Sequence, residues 1–553
     1  MKRKILPLLM LTALLTTNTI YAEININDIN NSVKSNEASQ IEKPKTESTE
    51  KEQKVEDLEA LENKPKETQT KIVDVFKNIP NSQYVVRLRT QSKQELQSLY
   101  DRGFRVFEIT VSATLDNQIV LADNFSEYFY RYYEAYIQRP TIDEYFSYKM
   151  KNGETQMSIG DINVFLNNYP DARFFVKSLD TEKNIFDILN NKSFKNKDKL
   201  IIETTDILGN YKTFDNVALV DLKGENNIYS FAVNNKDKNI MFVYQNTSPN
   251  QKEMEEIKKA KRRVYEINKP TLTNKNESKF DGYIYSIEDI VNLPIAIPQA
   301  VKSNNYIRPA IQNDRFIAHA GGKVLGIVGT NTLQAMNSSY SRGNRILEID
   351  FDWTTDGKIV QLHDWASFKK LTGDVFSNNY YMKYEEFKNK KMINSLKQMS
   401  IDDTLEWLKN NTDAYIVTDV KEDNMENGNI KALTEFANSS KEIQSRFIPQ
   451  IYDTVQYQKI KDLGYKNIIY TLYRTEQSPY GVLEFAKCND LFAVTMDNLY
   501  RVYTTLPELL TNNGIRVYIH TENDKTKAKA YINGQKAYGI YSDDILSAVE
   551  LNS

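Results

Sequence analysis

The chain repeats itself once at the length of a whole domain. Residues 102–125 (RGFRVFEITVSATLDNQIVLADNF) align without a gap with residues 342–365 (RGNRILEIDFDWTTDGKIVQLHDW), and nine of the 24 positions are identical. Residues 156–172 align with residues 398–414, again with nine identities. The offsets, 240 and 242 residues, are far longer than the period of a solenoid repeat. The sequence therefore predicts two tandem domains of one fold, over residues 78–300 and 313–553.

Each of the two copies alternates short β-branched or aromatic runs with longer helical patterns. In the second copy, strands are predicted at residues 316–318, 345–351, 359–362, 415–420, 468–472, 492–495 and 516–520, and helices at 404–409, 455–463 and 525–532. This alternation predicts an α/β protein with two tandem (β/α)₈ TIM-barrel-like domains, whose sites lie at the carboxyl ends of the strands. A doubly wound open sheet is the alternative, but no glycine-rich dinucleotide fingerprint supports it.

The first 77 residues differ in character from the rest. Residues 1–22 combine a basic start, an apolar run over 5–15 and a closing Ala22, which predicts a secretory signal peptide and an exported protein, whether periplasmic, cell-envelope or secreted. An uncleaved membrane anchor is the alternative. Residues 23–77 are rich in Lys, Glu and Thr, which predicts a disordered linker, with a short helix over 55–61 as the competing possibility. The single cysteine, Cys488, excludes an intramolecular disulfide.

Charge and hydropathy exclude two classes of partner. Lys and Arg number 71 against 74 Asp and Glu, a net charge of −3, and no basic cluster interleaves with aromatic residues. Nucleic acid is therefore not an expected partner. No long apolar segment follows the first one, so any membrane contact after export would be peripheral. The oligomeric state is left open.

Two of the three histidines flank a pair of carboxylates. His319 and His363 stand on either side of Glu348 and Asp350, which lie two apart within an apolar run. Residues two apart on a strand point to the same face, and paired carboxylates are ligands for hard cations such as Mg²⁺ or Ca²⁺. Histidines are suited to proton transfer near neutral pH. This combination suits metal-assisted hydrolysis of a phosphodiester.

Four motifs in this order resemble the glycerophosphodiester phosphodiesterase family, whose members are phospholipase C-like phosphodiesterases on a TIM barrel. The motifs are AHAGG, NTLQA, RGNRILEIDFDWTTDGKIVQLHDW and YIVTDVK, all within residues 313–553. The resemblance implies hydrolysis of glycerophosphodiesters or related phospholipid head groups. It also implies roles for seven residues: His319 and His363 as general acid and base, Glu348, Asp350 and Asp419 as metal ligands, Lys421 as a phosphate contact, and His520 in the wall of the substrate pocket.

The sequence departs from the family pattern at three positions. Ala320 stands where the family usually has arginine, Thr330 where it has glutamate, and Asp419 where it usually has glutamate. The first and third departures resemble sphingomyelinase D-like phospholipases, in which a substrate hydroxyl attacks phosphorus and leaves a cyclic phosphate. A third possibility, from another class, is a catalytically inactive binding protein on the same fold.

The first copy keeps the pattern of the fold and loses the chemistry. Glu108 aligns with Glu348, but Thr110 replaces Asp350, and Asp123 replaces His363. Arg87 is the nearest counterpart of His319, and Lys177 falls about where Asp419 stands. We therefore predict a non-catalytic first barrel. Only the second copy is expected to bring three carboxylates together without an opposing lysine.

Overall fold

The computed structural model describes residues 74–553 except 134–137, 206–212, 222–233, 236, 246–248, 268–279, 292, 375–380, 422–426 and 535. The predicted signal peptide lies outside the described residues, as does the predicted linker up to residue 73. Val75 and Phe76 are described and are buried against interior side chains of the first barrel, such as Val85 and Phe175. Folded structure therefore begins before residue 78, where the sequence placed the end of the linker.

Eight parallel strands of the first sheet close into a barrel. With one antiparallel strand added, the nine strands of this sheet are β1 (Tyr84–Arg87), β2 (Val106–Ala113), β3 (Ile119–Leu121), β4 (Arg173–Ser178), β5 (Leu200–Thr204), β6 (Asn216–Val220), β7 (Asn239–Tyr244), β8 (Arg263–Ile267) and β9 (Gly282–Tyr285). β1 pairs in parallel with both β2 and β9, which closes the ring. β3 lies antiparallel on β2 and stands outside the parallel series.

The second sheet repeats this arrangement in the same strand order. Its strands are β10 (Phe316–Ala318), β11 (Ile346–Trp353), β12 (Ile359–Gln361), β13 (Tyr415–Val420), β14 (Phe447–Ile451), β15 (Ile469–Thr471), β16 (Ala493–Asp497), β17 (Val517–His520) and β18 (Gly539–Ser542). β10 pairs with β11 and β18, so this barrel is closed as well, and β12 is the antiparallel addition. The predicted pair of barrels is confirmed, and the open doubly wound sheet is wrong.

Helices follow most strands and cover the outside of each barrel. Those of the first are α1 (Lys93–Asp101), α2 (Phe125–Tyr132), α3 (Ile142–Ser147), α4 (Ile159–Asn168), α5 (Ile185–Asn191) and α6 (Gln251–Lys259). Those of the second are α7 (Leu333–Ser341), α8 (Trp365–Thr372), α9 (Tyr384–Asn389), α10 (Ile401–Asn410), α11 (Gly428–Ala437), α12 (Lys441–Gln444), α13 (Gln456–Asp462), α14 (Pro479–Cys488), α15 (Leu506–Asn512), α16 (Lys525–Asn533) and α17 (Ala548–Asn552). Within the described part of the chain, none of these helices has the length and apolar character needed to span a bilayer.

One of the repeated sequence segments encodes the same helix start in both barrels. Ser158 is the N-cap of α4 and Ser400 is the N-cap of α10. Each serine side chain accepts a hydrogen bond from the main-chain N–H of the residue three positions later. In turn, the carboxylates of Asp161 and Asp403 accept a hydrogen bond from the main-chain N–H of the serine, which completes a capping box in each case. The identities in this segment therefore correspond to a shared local structure.

Strand alternation places polar side chains above an apolar floor inside the second barrel. On β11, Leu347 and Ile349 face the helices, whereas Ile346 packs inside with Val417 and Tyr518. Residues two apart share a face, so Glu348 and Asp350 continue the inward row toward the carboxyl end. The barrel is thus filled with apolar groups at one end and carries carboxylates at the other.

Helix α14 of the second barrel docks on α3 and α4 of the first. Lys487 donates a hydrogen bond of 2.8 Å to Asp161, and Asn163 donates one of 2.7 Å to the carbonyl of Lys487. Glu484 accepts from the amide of Gly160 at 2.8 Å, and a Cβ at position 160 would lie 2.6 Å from Glu484 Oε2. The second copy has Asp402 at the position equivalent to Gly160, so the close approach is specific to the first.

Candidate active site

A cavity of about 190 Å³ lies at the carboxyl ends of the strands of the second barrel. The structure brings all seven sequence-predicted site residues to its walls: His319, Glu348, Asp350, His363, Asp419, Lys421 and His520. Six further residues complete the lining, namely Val420, Gln450, Tyr452, Tyr473, Arg474 and Tyr541. The placement agrees with the rule that barrel sites lie at the carboxyl ends of strands.

Three carboxylates converge in this cavity. One oxygen each from Glu348, Asp350 and Asp419 lie within 4.8 Å of one another. The strand register explains this, because Asp350 on β11 and Asp419 on β13 are direct partners in a parallel pair. Two of the carboxylates are also fixed by hydrogen bonds: Ala320 N–H donates to Glu348 at 2.7 Å, and the Tyr452 hydroxyl donates to Asp419.

Lys421 lies between two of these carboxylates. Its ammonium is 2.8 Å from Asp350 Oδ1 and 2.8 Å from Asp419 Oδ2. The expectation that the carboxylates meet without an opposing lysine is therefore wrong. The cause is local geometry, since Lys421 follows Asp419 by two residues and points into the same space.

The charge of the cluster fits a divalent cation. Three carboxylates and one ammonium carry a formal charge of −2 when all are ionised. Burial, followed by the charge of Asp350, raises the pKa of Glu348, so the cluster resists full ionisation by itself. For Asp350, burial acts to raise the pKa, but the Lys421 ammonium outweighs it and lowers the pKa. An oxygen-only donor set of this charge suits Mg²⁺ or Ca²⁺.

Each of the three histidines binds the protein through Nδ1. The Nδ1 atom of His319 is 2.9 Å from Asp543 Oδ1, and that of His363 binds the carboxylate of Asp364. The Nδ1 atom of His520 lies 2.6 Å from Thr495 Oγ1. A carboxylate partner requires the proton on Nδ1, which leaves Nε2 of His319 and His363 for other partners. Asp364 also caps the start of α8, where its side chain accepts a hydrogen bond from the amide of Ser367.

The surroundings of His319 and His520 shift the pKa values of the two rings in opposite directions. Burial acts to lower the pKa of His319, but its bond to Asp543 and the charge of Glu348 raise it to about 9. For His520, burial dominates and lowers the pKa to about 3, so this ring is neutral at physiological pH. Nε2 of His520 and the hydroxyl of Tyr541 are buried without a hydrogen-bond partner among the described residues. These two polar atoms are available to water or a bound ligand.

Several residues of the site were not found by sequence reasoning. Asn331 is buried and makes two bonds to Asp350: its amide donates to Oδ2 at 2.8 Å, and its carbonyl accepts from the main chain at 2.9 Å. Tyr452 follows β14 and Tyr541 lies on β18, two strands that the sequence did not predict. A polar residue before the start of α7 was the available signal for Asn331, but many helices begin in this way.

The corresponding end of the first barrel is occupied by an ion pair. Arg87 binds Glu108 through two hydrogen bonds, of 2.6 and 3.1 Å. Thr110 pairs with Lys177 in the register that Asp350 and Asp419 share in the second barrel. Among the described residues, the only cluster of acidic, histidine or cysteine side chains that could hold a metal is the one in the second barrel. That the first barrel is a degenerate, non-catalytic copy remains a prediction.

Comparisons with known proteins gave one family match and several similar solved structures. Residues 319–547 match the model of the glycerophosphoryl diester phosphodiesterase family. A search of curated protein sequences gave no match. Solved structures with similarity include glycerophosphodiester phosphodiesterases from Parabacteroides distasonis (18% identity, 44% of this chain and 97% of that chain, TM-score 0.35) and Thermotoga maritima (20% identity, 44% and 100%, TM-score 0.35). A third is an Oleispira antarctica phosphodiesterase in complex with the product sn-glycerol-3-phosphate (17% identity, 41% and 92%, TM-score 0.33).

The family match begins directly after β10 and includes all seven cavity residues named from the sequence, the first of which, His319, is its first residue. The expected family is thus confirmed for this part of the chain. Residues 319–547 form a domain of the glycerophosphoryl diester phosphodiesterase family.

Proposed function

We propose that this protein is an exported, divalent-metal-dependent phosphodiesterase that hydrolyses glycerophosphodiesters or related phospholipid head groups. The observation that carries the proposal is the convergence of three carboxylates and two carboxylate-bound histidines on one cavity in the family domain. Export rests on the signal-like pattern of residues 1–22.

Glu348, Asp350 and Asp419 would hold the cation, either Mg²⁺ or Ca²⁺. When bound, a divalent cation polarises phosphoryl oxygens and helps to orient the nucleophile. Lys421 adds a positive charge at the same place, where it can neutralise a phosphate oxygen. Because its ammonium is held by two carboxylates at 2.8 Å, its position is fixed before the substrate arrives.

The two histidines would move the protons. Asp543 stabilises the imidazolium of His319, so we assign His319 as the general acid and His363 as the general base. Water attacks phosphorus and gives its proton to Nε2 of His363. The bond from phosphorus to the alcohol oxygen breaks, and that oxygen takes a proton from His319. Asp364 and Asp543 orient the rings through Nδ1 and keep Nε2 available.

The test is turnover of sn-glycero-3-phosphoglycerol by the full-length protein, followed as release of glycerol 3-phosphate with and without chelator. We expect activity that is lost with EDTA, restored by Mg²⁺ or Ca²⁺, and reduced at least 100-fold by Asp350→Ala. Asp116→Ala, which alters the hairpin of the first barrel, is the matched control. Absence of metal-dependent turnover over a broad panel of phosphodiesters would instead support the inactive binding protein.

The sphingomyelinase D-like alternative differs in its nucleophile. The absence of arginine at position 320 favours it, since Ala320 contributes only its main-chain N–H to Glu348. Phosphorus NMR of reactions with lysophospholipid in ¹⁸O-labelled water separates the two mechanisms. A cyclic phosphate without label incorporation would favour the alternative, and a labelled phosphomonoester would favour hydrolysis.

A further inference from the structure

Two loops extend from the catalytic cavity toward the seam between the barrels. Residues 452–455 follow β14, and residues 473–477 follow β15. A second cavity, of about 480 Å³, lies between these loops and shares Tyr452 and Arg474 with the catalytic cavity. A third, of about 120 Å³, shares Thr454 and Gln477 with the second. Each loop therefore runs along more than one cavity in succession.

The third cavity, the one farthest from the catalytic cavity, is lined by residues of both barrels. The third cavity is closed on one side by four residues of the first barrel, namely Gln118, Asn191, Lys192 and Ser193. Lys192 Nζ donates a hydrogen bond of 2.5 Å to Gln118 Oε1, which fixes both side chains in the wall. The loop 473–477 leads directly into α14, the helix that docks on the first barrel. The contact between α14 and the first barrel therefore fixes the position of the loop 473–477, which forms one wall of these cavities.

We propose that the three cavities form one substrate groove, and that its outer part binds an uncharged saccharide carried by the alcohol portion of the phosphodiester. This inference rests on the proposed function, and it assigns the first barrel a part in substrate recognition. The phosphodiester lies among the carboxylates and histidines. Its alcohol then passes Tyr473 and Arg474 and enters the space between the two loops.

The lining of the second cavity indicates this ligand class. Its lining includes the hydroxyls of Thr454 and Thr475, the carboxamides of Gln456 and Gln477, and the carboxylates of Asp453 and Glu476. Such groups donate and accept hydrogen bonds in the way that sugar hydroxyls require. Asp453 and Glu476 outnumber the one cation, Arg474, so a polyanion is disfavoured. An acyl chain would bring apolar surface against these polar and charged side chains, which is unfavourable.

The experiment compares two substrates that differ only beyond the first alcohol. The short one is sn-glycero-3-phosphoglycerol, and the extended one carries a disaccharide on the distal glycerol. We expect kcat/KM to be at least about tenfold higher for the extended substrate, the equivalent of one or two net hydrogen bonds. Thr454→Trp, which fills the junction of the second and third cavities, should lower the ratio of the two kcat/KM values by about tenfold. Thr434→Trp, on the exposed face of α11, is the matched control and should leave the ratio unchanged.

Calorimetric binding of the disaccharide-bearing glycerol, which has no phosphate, tests the groove separately from catalysis. Binding by the wild type that is lost in Thr454→Trp supports the groove even if no phosphodiester is turned over, in which case only the proposed function fails. Equal kcat/KM for both substrates together with no calorimetric binding overturns the proposal. A preference for an oligomer of glycerol phosphate over the glycosylated substrate overturns the assignment of an uncharged saccharide.

Discussion

Replacing Asn331 by alanine tests how the metal site is held. Asn331 is 1% exposed and binds Asp350 at both its side chain and its main chain. A hydrogen bond to a charged group contributes about 1.5–3 kcal/mol, and a lost contact of this kind beside a metal ligand typically costs 10–100-fold in affinity. We therefore expect the dissociation constant for the activating cation to rise by about 10–100-fold in Asn331→Ala.

The measurement is a titration of chelator-treated protein with Mg²⁺ or Ca²⁺, followed by turnover of sn-glycero-3-phosphoglycerol and by calorimetry. At saturating metal, most of the kcat should return, because Asn331 touches a ligand and lies outside the cavity lining. A kcat that stays low at every metal concentration, with unchanged affinity, would refute the positioning role.

Gln91→Ala is the matched control for this prediction. Gln91 is also buried, and its side-chain carbonyl accepts from the amide of Thr110 at 2.8 Å, just as Asn331 accepts from the amide of Asp350. Thr110 offers no carboxylate, so Gln91→Ala should lower the unfolding temperature and leave metal affinity unchanged. Equal losses of affinity in both variants would mean that the effect is general destabilisation.

Three further predictions concern single side chains. Asp543→Asn removes the charge that holds His319, and we expect kcat to fall 10- to 100-fold while metal affinity, measured by calorimetry, stays the same. Ala320 has a φ of 47°, a left-handed conformation that glycine adopts more readily, so Ala320→Gly should raise the free energy of unfolding by up to about 1 kcal/mol in urea titrations. Burial acts to raise the pKa of Asp161, but the charges of Lys487 and Lys93 together outweigh it and lower the pKa to about 2, below the ordinary 3.8. The stabilisation of the interface by Asp161 is thus present above about pH 4 and is lost as the pH falls toward 2. The difference in unfolding temperature between the wild type and Asp161→Asn should shrink over that range.

The sequence was sufficient for the barrels and for the centre of the site. β10 and β13 were predicted with the bounds that the structure shows, because their β-branched and aromatic runs are compact. Strand alternation placed Glu348 beside Asp350, and parallel pairing then brings Asp419 opposite Asp350. Local pattern is enough here because the geometry of a strand fixes which side chains share a face.

Other parts of the site depended on structure that the pattern does not show. β14 contains Pro449, and β18 begins at Gly539, residues that weaken a strand signal, so Tyr452 and Tyr541 were missed. Lys421 was expected to contact phosphate, but its bonds to two carboxylates depend on side-chain reach in three dimensions. Asp543 meets His319 across 224 residues of sequence, a contact that only closure of the barrel creates.

The two barrels balance buried negative charge in different ways. In the first, Glu108 is neutralised by the guanidinium of Arg87, and Lys177 replaces a carboxylate. In the second, Lys421 offsets only part of the charge of three carboxylates. A buried carboxylate without a partner is costly, so each barrel needs a positive group at this place. The first supplies it from its own side chains, which leaves no need for a cation. The second leaves the position open to one, and this difference in charge balance is the physical reason for our proposal that the chemistry lies in the second barrel alone.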